Sequence, residues 1–224
     1  MKGKISRVVS LGLVVIGLVL LVNAGWPILS YELFAATHLT LREELVSPIS
    51  TGSNRGTTEA YPLNLTKARN WFVGSPGLDD TPSKVNYYNL SIPGLKIDGA
   101  SVEIGGDDLA ESLIHYQGTA LPGRPGNTVI FGHSTLPQLF DPENYLSIFS
   151  TLPTVEKGNI VKLEYDGITY SFRIEEMFEV RPTDVQVLEQ RYDDSYLTLI
   201  TCVPPGTYLK RLVVRGRLVP PSQI

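Results

Sequence analysis

One cysteine and three histidines are all that 224 residues contain of the side chains that most often carry nucleophilic or metal chemistry. A lone cysteine rules out an intramolecular disulfide framework and a thiolate metal cluster. There is no excess of one charge either. The 19 basic and 23 acidic residues are interspersed and leave a net charge of −4, so nothing points to nucleic acid. Helical periodicity is scarce beyond about residue 85, while 20 glycines and 16 prolines supply turns, which points to a β-rich domain.

Charge is missing altogether from Val8 to about Tyr31, a run dense in Val, Leu and Ile. Roughly 20 apolar residues suffice to cross a bilayer as a helix. Lys2, Lys4 and Arg7 precede the run, so the positive-inside rule leaves the N-terminus in the cytoplasm and sends the remainder outward. Val22-Asn23-Ala24 offers a cleavage site for the competing reading, a signal peptide. The apolar run continues past it through Trp26, Ile28 and Leu29, longer than a signal peptide needs, and favours a retained anchor. Both readings place the body of the protein outside the cytoplasm, where a free thiol is exposed to oxidation and is better explained by chemistry than by packing.

The division expected is a cytoplasmic tip and anchor at 1–31, a membrane-proximal segment and linker at 32–85, and a domain at 86–224. Within the middle part, 32–50 has the composition of a short helix stopped by Pro48, and Ser50 to Glu59 reads as a tether. Trp71 and Phe72 stand out there as residues able to pack on the domain. Strands are expected at Tyr88–Ile92, Leu95–Ile97, Ala100–Ile104 and Asn127–Gly132, with helices at Asp107–Tyr116 and near Tyr145–Leu152. The clearest hairpin is Ile160 to Glu176, where alternating apolar residues flank an Asp166-Gly167 type I′ turn. Strands at Phe178–Arg181, Leu197–Cys202 and Arg211–Val219 complete about eight, which indicates a closed or nearly closed all-β barrel with two or so short helices.

Three strand ends carry the chemistry. Leu197-Thr-Leu-Ile-Thr-Cys202 places Thr198, Ile200 and Cys202 on one face by its period of two, and Val203-Pro-Pro-Gly206 ends the strand. Nine residues after the cysteine, Arg211 opens the next strand; so short a connection makes the two strands antiparallel neighbours. His133 ends the Asn127–Gly132 strand. A cysteine, a histidine and an arginine at one rim suit acyl transfer. Cys202 would attack a carbonyl, His133 would serve as acid and then base, and Arg211 would steady the oxyanion or hold substrate carbonyls.

Thr198-Leu-Ile-Thr-Cys202, Gly132-His133 and Arg211, together with Leu121-Pro-Gly before the histidine strand and Thr183 to Leu197 before the cysteine strand, resemble the sortases over about residues 86–219. That resemblance implies an eight-stranded sortase barrel and a cell-surface transpeptidase. Such an enzyme cleaves a Leu-Pro-x-Thr-Gly-like sorting signal and passes the acyl group to an amine of a cell-wall precursor or a pilin. It assigns catalysis to His133, Cys202 and Arg211, and substrate contact to Thr198, Ile200 and Thr201, with no cofactor and no metal. Glu103, Asp107, Asp108 and Glu111 resemble the acidic ingredients of one sortase calcium site; a helix start with a solvated face explains them equally. His115-Tyr116 resembles the His-Tyr that some sortases carry before this turn, which would bring His115 toward the site; the alternative is a satisfied helix-end histidine. Two other readings compete, a membrane-anchored cysteine protease or other thiol hydrolase and a non-catalytic β-barrel adhesin. A papain-like protease would place its cysteine before its histidine, the reverse of the order here.

Overall fold

The computed structural model describes residues 2–41, 66–72, 85–220 and 222. The chain forms two compact units, Met1–His38 and Leu39–Ile224. The first is a single helix, α1 (Lys2–His38). Ser10–Thr37 is long and apolar enough to cross a membrane. Its side chains present no polar face to pack in water, and Leu11, Leu18 and Leu21 are all exposed. The helix runs beyond Tyr31 and absorbs Leu33–His38, which the sequence suggested as part of a separate helix. Glu32-Leu-Phe-Ala-Ala36 has nothing to break it. The rest of that expected helix, 42–50, and the Ser50–Glu59 tether lie outside the described residues.

The second unit is built on β1 (Thr40–Leu41), β2 (Tyr87–Ile92), β3 (Ile97–Ile104), β4 (Leu113–His115), β5 (Gly126–Phe131), β6 (Ile160–Tyr165), β7 (Ile168–Val180), β8 (Ser195–Val203) and β9 (Lys210–Val219). Eight of these close into a barrel in the order β7-β6-β2-β3-β4-β5-β8-β9, with β9 pairing back onto β7. Strand β1 adds outside the ring, parallel to β7 at Phe178–Glu179. Pairs β3/β4 and β5/β8 are parallel, and the other ring pairs are antiparallel. The hairpin β6/β7 turns as its sequence dictates, Asp166 and Gly167 both adopting positive φ (51° and 73°) as a type I′ turn requires.

Local signals fail where the barrel needs something else. Asp107–Tyr116 is not a helix. Its end forms β4, inserted between β3 and β5, and all of Leu113–His115 is buried. A helix there would leave the edges of β3 and β5 unpaired, so sheet closure overrides propensity. The helix expected near Tyr145–Leu152 is a run of turns ending in a short 3-10 helix, Leu152–Thr154. Polar side chains capture the backbone donors: Asn144 Oδ1 accepts from Leu146 N, Ser147 Oγ from Asp141 N, and Ser150 Oγ from Thr135 N. Pro93–Leu95 is a 3-10 turn rather than the start of a strand. The two strands expected between Ile168 and Arg181 are one, with a bulge between Ile174 and Glu176.

Alternation builds the interior: in β2, buried Tyr88, Leu90 and Ile92 alternate with Tyr87, Asn89 and Ser91. Strands β5 and β8 do not alternate, because both are buried along their whole length. A second layer covers their other face. Val129, Phe131, Ile200 and Cys202 cluster there with Ala68, Trp71, Phe72, Leu109, Val187 and Leu188, none of which belongs to a barrel strand. Trp71 and Phe72 thus pack on the barrel.

Candidate active site

Two strands set the rim. Because β5 and β8 run parallel with Phe131 opposite Ile200, two residues further along each lie His133 and Cys202. Neighbouring strands are about 4.8 Å apart. Three hydrogen bonds stitch these ends together: Gly132 N to Ile200 O (3.1 Å), Thr201 Oγ1 to Gly132 O (2.8 Å) and Ser134 Oγ to Cys202 O (2.6 Å). Gly132 is required by contact. A Cβ there would lie 2.4 Å from Phe149 Cδ2 and 2.6 Å from Leu113 Cδ2. On the other side of β8, Arg211 is the direct cross-strand partner of Cys202. The structure therefore brings His133, Cys202 and Arg211 to one rim.

Thr198, Ile200 and Thr201, to which the resemblance gives substrate contact, all lie in β8. All three are fully buried. Thr198 Oγ1 donates to Asn127 Oδ1 (2.7 Å) and accepts from Arg215 Nε (3.3 Å), the Thr201 hydroxyl holds Gly132, and Ile200 sits in the apolar cluster beneath Trp71. In this arrangement none presents a free group to a substrate. The threonines lock strand ends and the isoleucine floors the layer above.

That layer closes the site. Trp71 is fully buried; its ring lies 5.6 Å from the His133 ring, 5.5 Å edge-on to Phe131 and 5.2 Å from the Arg211 guanidinium carbon. Arg211 Nη2 donates to the Trp71 carbonyl at 3.1 Å, while Nη1 donates to the Tyr208 and Lys210 carbonyls, both at 3.2 Å. The segment is pinned at its other end. Lys67 bridges Asp108 through backbone and through its ammonium (2.9 Å), Ala68 N donates to Asp107 O, and Leu109 N donates to Thr66 O. Sequence periodicity had no means of finding this cover, although an adjacent Trp-Phe pair inside a polar segment was its trace.

Electrostatics follow from that burial. Cys202 is fully buried and its thiol is pushed up to about 11, with the Arg211 charge pulling the other way. Burial pushes His133 below the ordinary histidine value, opposed by the Asp108 carboxylate. Asp108 is itself held low, first by the hydrogen bond from Lys67. Under the cover the pair is therefore thiol and neutral imidazole. Two buried polar atoms at the rim, His133 Nε2 and Arg211 Nε, have no hydrogen-bond partner. An acid–base nitrogen and a cationic donor next to a thiol are the groups that attack on a carbonyl calls for. Among the described residues no group of three or more His, Cys, Asp or Glu side chains is placed to hold a metal. His115 is buried elsewhere, bonded through Nδ1 to Tyr88 OH (2.8 Å) and through Nε2 to Thr119 Oγ1 (3.0 Å).

Residues 90–219 match the family model of the sortase domain. Sortase A of Staphylococcus aureus is 38% identical over 77 residues, an alignment spanning about a third (34%) of each chain. Among solved structures, sortase C-1 from Actinomyces oris superposes with a TM-score of 0.54 at 26% identity, covering 62% of this chain and 76% of that one. A lid mutant of Sortase A from Corynebacterium diphtheriae does so with a TM-score of 0.53 at 27% identity, covering 62% and 73%. With the rim geometry and a match over more than half its length, this chain belongs to the sortases, a family of cysteine transpeptidases.

Proposed function

We propose that this protein is a cell-surface transpeptidase. It would cleave a Leu-Pro-x-Thr-Gly-like sorting signal through a Cys202 thioester and transfer the acyl group to an amine of a cell-wall precursor or a pilin lysine. The observation that carries this reading is the pairing of Cys202 with Arg211 across β8/β9, beside a histidine at the end of parallel β5 whose Nε2 is unpartnered. Helix α1 is the anchor and the barrel lies outside the membrane, the orientation favoured by Lys2, Lys4 and Arg7. The assignment of 1–31 to tip and anchor, 32–85 to the membrane-proximal segment and 86–224 to the catalytic domain goes with it.

The steps follow from the side chains. Cys202 Sγ bonds to the threonine carbonyl carbon of the signal, and its proton passes to His133. Arg211 donates to the carbonyl oxygen as it becomes an oxyanion. The tetrahedral intermediate collapses with cleavage of the C–N bond, and His133 returns the proton to the leaving glycine amine. The incoming amine then attacks the thioester, gives its proton to His133, and expels the Cys202 thiolate, which is reprotonated. Each step needs Trp71 to have left the rim, because its carbonyl occupies the arginine donor the substrate would use.

The full-length chain in detergent, given a fluorogenic sorting peptide and an amine, should yield both cleaved and amine-linked products. A Cys202→Ala variant should yield neither, since no second thiol exists. His133→Ala should lose roughly 10²–10⁴-fold. Turnover by Cys202→Ala would sink the reading. Cleavage without amine transfer would identify a hydrolase instead.

A further inference from the structure

At the end of the barrel where β5 and β8 begin, opposite the rim where they end, lies an open cleft of ≈ 1020 Å³. It is the size of a small-molecule site, and nothing in the proposed chemistry uses it. Its floor is rigid. Gln190 Oε1 accepts from Ala120 N (3.2 Å) and Asn127 N (3.0 Å), while Nε2 donates to Asn127 O (3.0 Å) and Leu188 O (3.2 Å). Gly126 keeps the floor low, since a Cβ there would stand 2.6 Å from Ala120 Cβ. One wall is equally fixed: Tyr165 packs edge-on against Tyr88 (5.9 Å, 86°), and Tyr88 is held by the buried His115–Thr119 pair.

The opening is different in kind. Tyr192 stands 73% exposed at the mouth, and the exposed Arg124 and Asp166 line it. Among the described residues, the side chains of Arg124, Tyr165, Asp166 and Tyr192 have no hydrogen-bond or ion-pair partner. Two aromatic rings beside one unpaired cation and one unpaired anion suit a ligand that is uncharged, flat-faced and rich in hydroxyls. Pyranose rings have that chemistry. Their C–H faces stack on tyrosine, and their hydroxyls accept from guanidinium and donate to carboxylate. A phosphorylated or nucleotide ligand would meet the Asp166 carboxylate with only one arginine to offset it.

We propose that this cleft is a binding site for a neutral saccharide, held between Tyr165 and Tyr192 and oriented by Arg124 and Asp166. The proposal rests on the reading above only in placing the barrel outside the cell, where surface glycans are available. A barrel holding such a glycan at one pole would keep its catalytic rim at the other free.

The test is calorimetric titration of the full-length chain in detergent with chitotetraose, a β-linked N-acetylhexosamine oligomer, and with maltotetraose, an α-linked hexose oligomer. At least one sugar should bind, and Tyr192→Ala and Arg124→Ala should each weaken binding by tenfold or more. Binding of chitotetraose alone assigns the source to amino-sugar glycans such as the wall backbone, and of maltotetraose alone to other hexose glycans. Both substituted residues are exposed, so folding is not at stake, and sorting-peptide cleavage should be unchanged in both variants. No binding of either sugar at millimolar concentration overturns the proposal, as does binding that both variants retain in full. Failure here leaves the peptide assay untouched, and failure of the peptide assay leaves the titration interpretable.

Discussion

The guanidinium of Arg211 is already engaged by the chain's own backbone: its Nη2 donates 3.1 Å to the carbonyl of Trp71, and its carbon lies 5.2 Å from the centre of the Trp71 ring. The residue proposed to steady a substrate carbonyl thus holds a carbonyl 140 residues away in sequence. The same indole shields His133 and caps the cluster containing Cys202. Trp71 therefore touches both His133 and Arg211 and shares the apolar cluster that holds Cys202.

Replacing Trp71 with alanine should expose that rim. Because burial is the main cause of the raised thiol value of about 11, the Cys202 pKa should fall in the variant. Alkylation by iodoacetamide at pH 7.5 should quicken, roughly tenfold for each unit by which the pKa falls while the thiol remains mostly protonated. Peptide cleavage should rise less than alkylation, because an alanine at this position keeps the backbone carbonyl bonded to Arg211, while the barrel loses about 3–5 kcal/mol for the deleted indole. An alkylation rate equal to that of the wild type would show that Trp71 does not control the thiol.

The two jobs open to Arg211 can be separated. Arg211→Lys keeps a charge but loses the planar fork. If the fork meets the developing oxyanion, single-turnover acylation at saturating peptide should slow by about 10²–10³. If the residue only holds substrate, KM should rise with kcat preserved. The direct register of Arg211 with Cys202 favours the rate effect. A wild-type acylation rate in the variant would remove the oxyanion role.

His115 gives the fold a pH dependence of its own. Burial lowers it to about 4 in the folded protein, against an ordinary 6.5. As pH falls, the unfolded chain takes up this proton first, so the stability present above about pH 6.5 is lost as pH approaches 4. The loss from this group is on the order of 3 kcal/mol. His133, also lowered, acts in the same direction. Denaturant unfolding at several pH values should show the decline, and His115→Gln should flatten it. Parallel curves for the two proteins would mean that another group is responsible.

How much of this was legible in the chain depends on whether a feature is local. The β6/β7 hairpin announces itself, because Asp166-Gly167 fixes the turn and the flanking alternation fixes the register. The rim was legible for a related reason: Cys202 and Arg211 are joined by a short loop, so their pairing follows from the sequence. The parallel alignment of β5 with β8 has no such local cause, and the closure of β9 onto β7 is set by the whole ring. Strand β4 carries no strand signal of its own, because three residues between two partners need no period. Substrate contact by Thr198 and Thr201 is implied by the family resemblance and not by any local pattern in the chain. Only the tertiary structure shows both already bonded, to Asn127 and Gly132. The cover over the rim depends on Lys67–Asp108 and Trp71–Arg211 contacts that no periodicity encodes.

Gly132 supplies the last test, because it links packing to catalysis without touching substrate. A methyl group at this position would press on Phe149 and Leu113 at 2.4 and 2.6 Å, deep in the core, where neither ring nor branch can withdraw freely. Overpacking of this kind costs about 1–3 kcal/mol. The strain should be relieved by moving the backbone that carries His133, since the Gly132 carbonyl is tied to β8 through the side chain of Thr201. Gly132→Ala should therefore fold with reduced stability and lose kcat on the sorting peptide, with KM little changed and Cys202 still alkylated at the wild-type rate. Thr201→Val, which leaves the Gly132 carbonyl without its partner, should show the same split in kcat and KM with a smaller loss of activity. If both variants are less stable yet turn over peptide at full rate, the β5–β8 stitch serves the fold alone and His133 is positioned by something else.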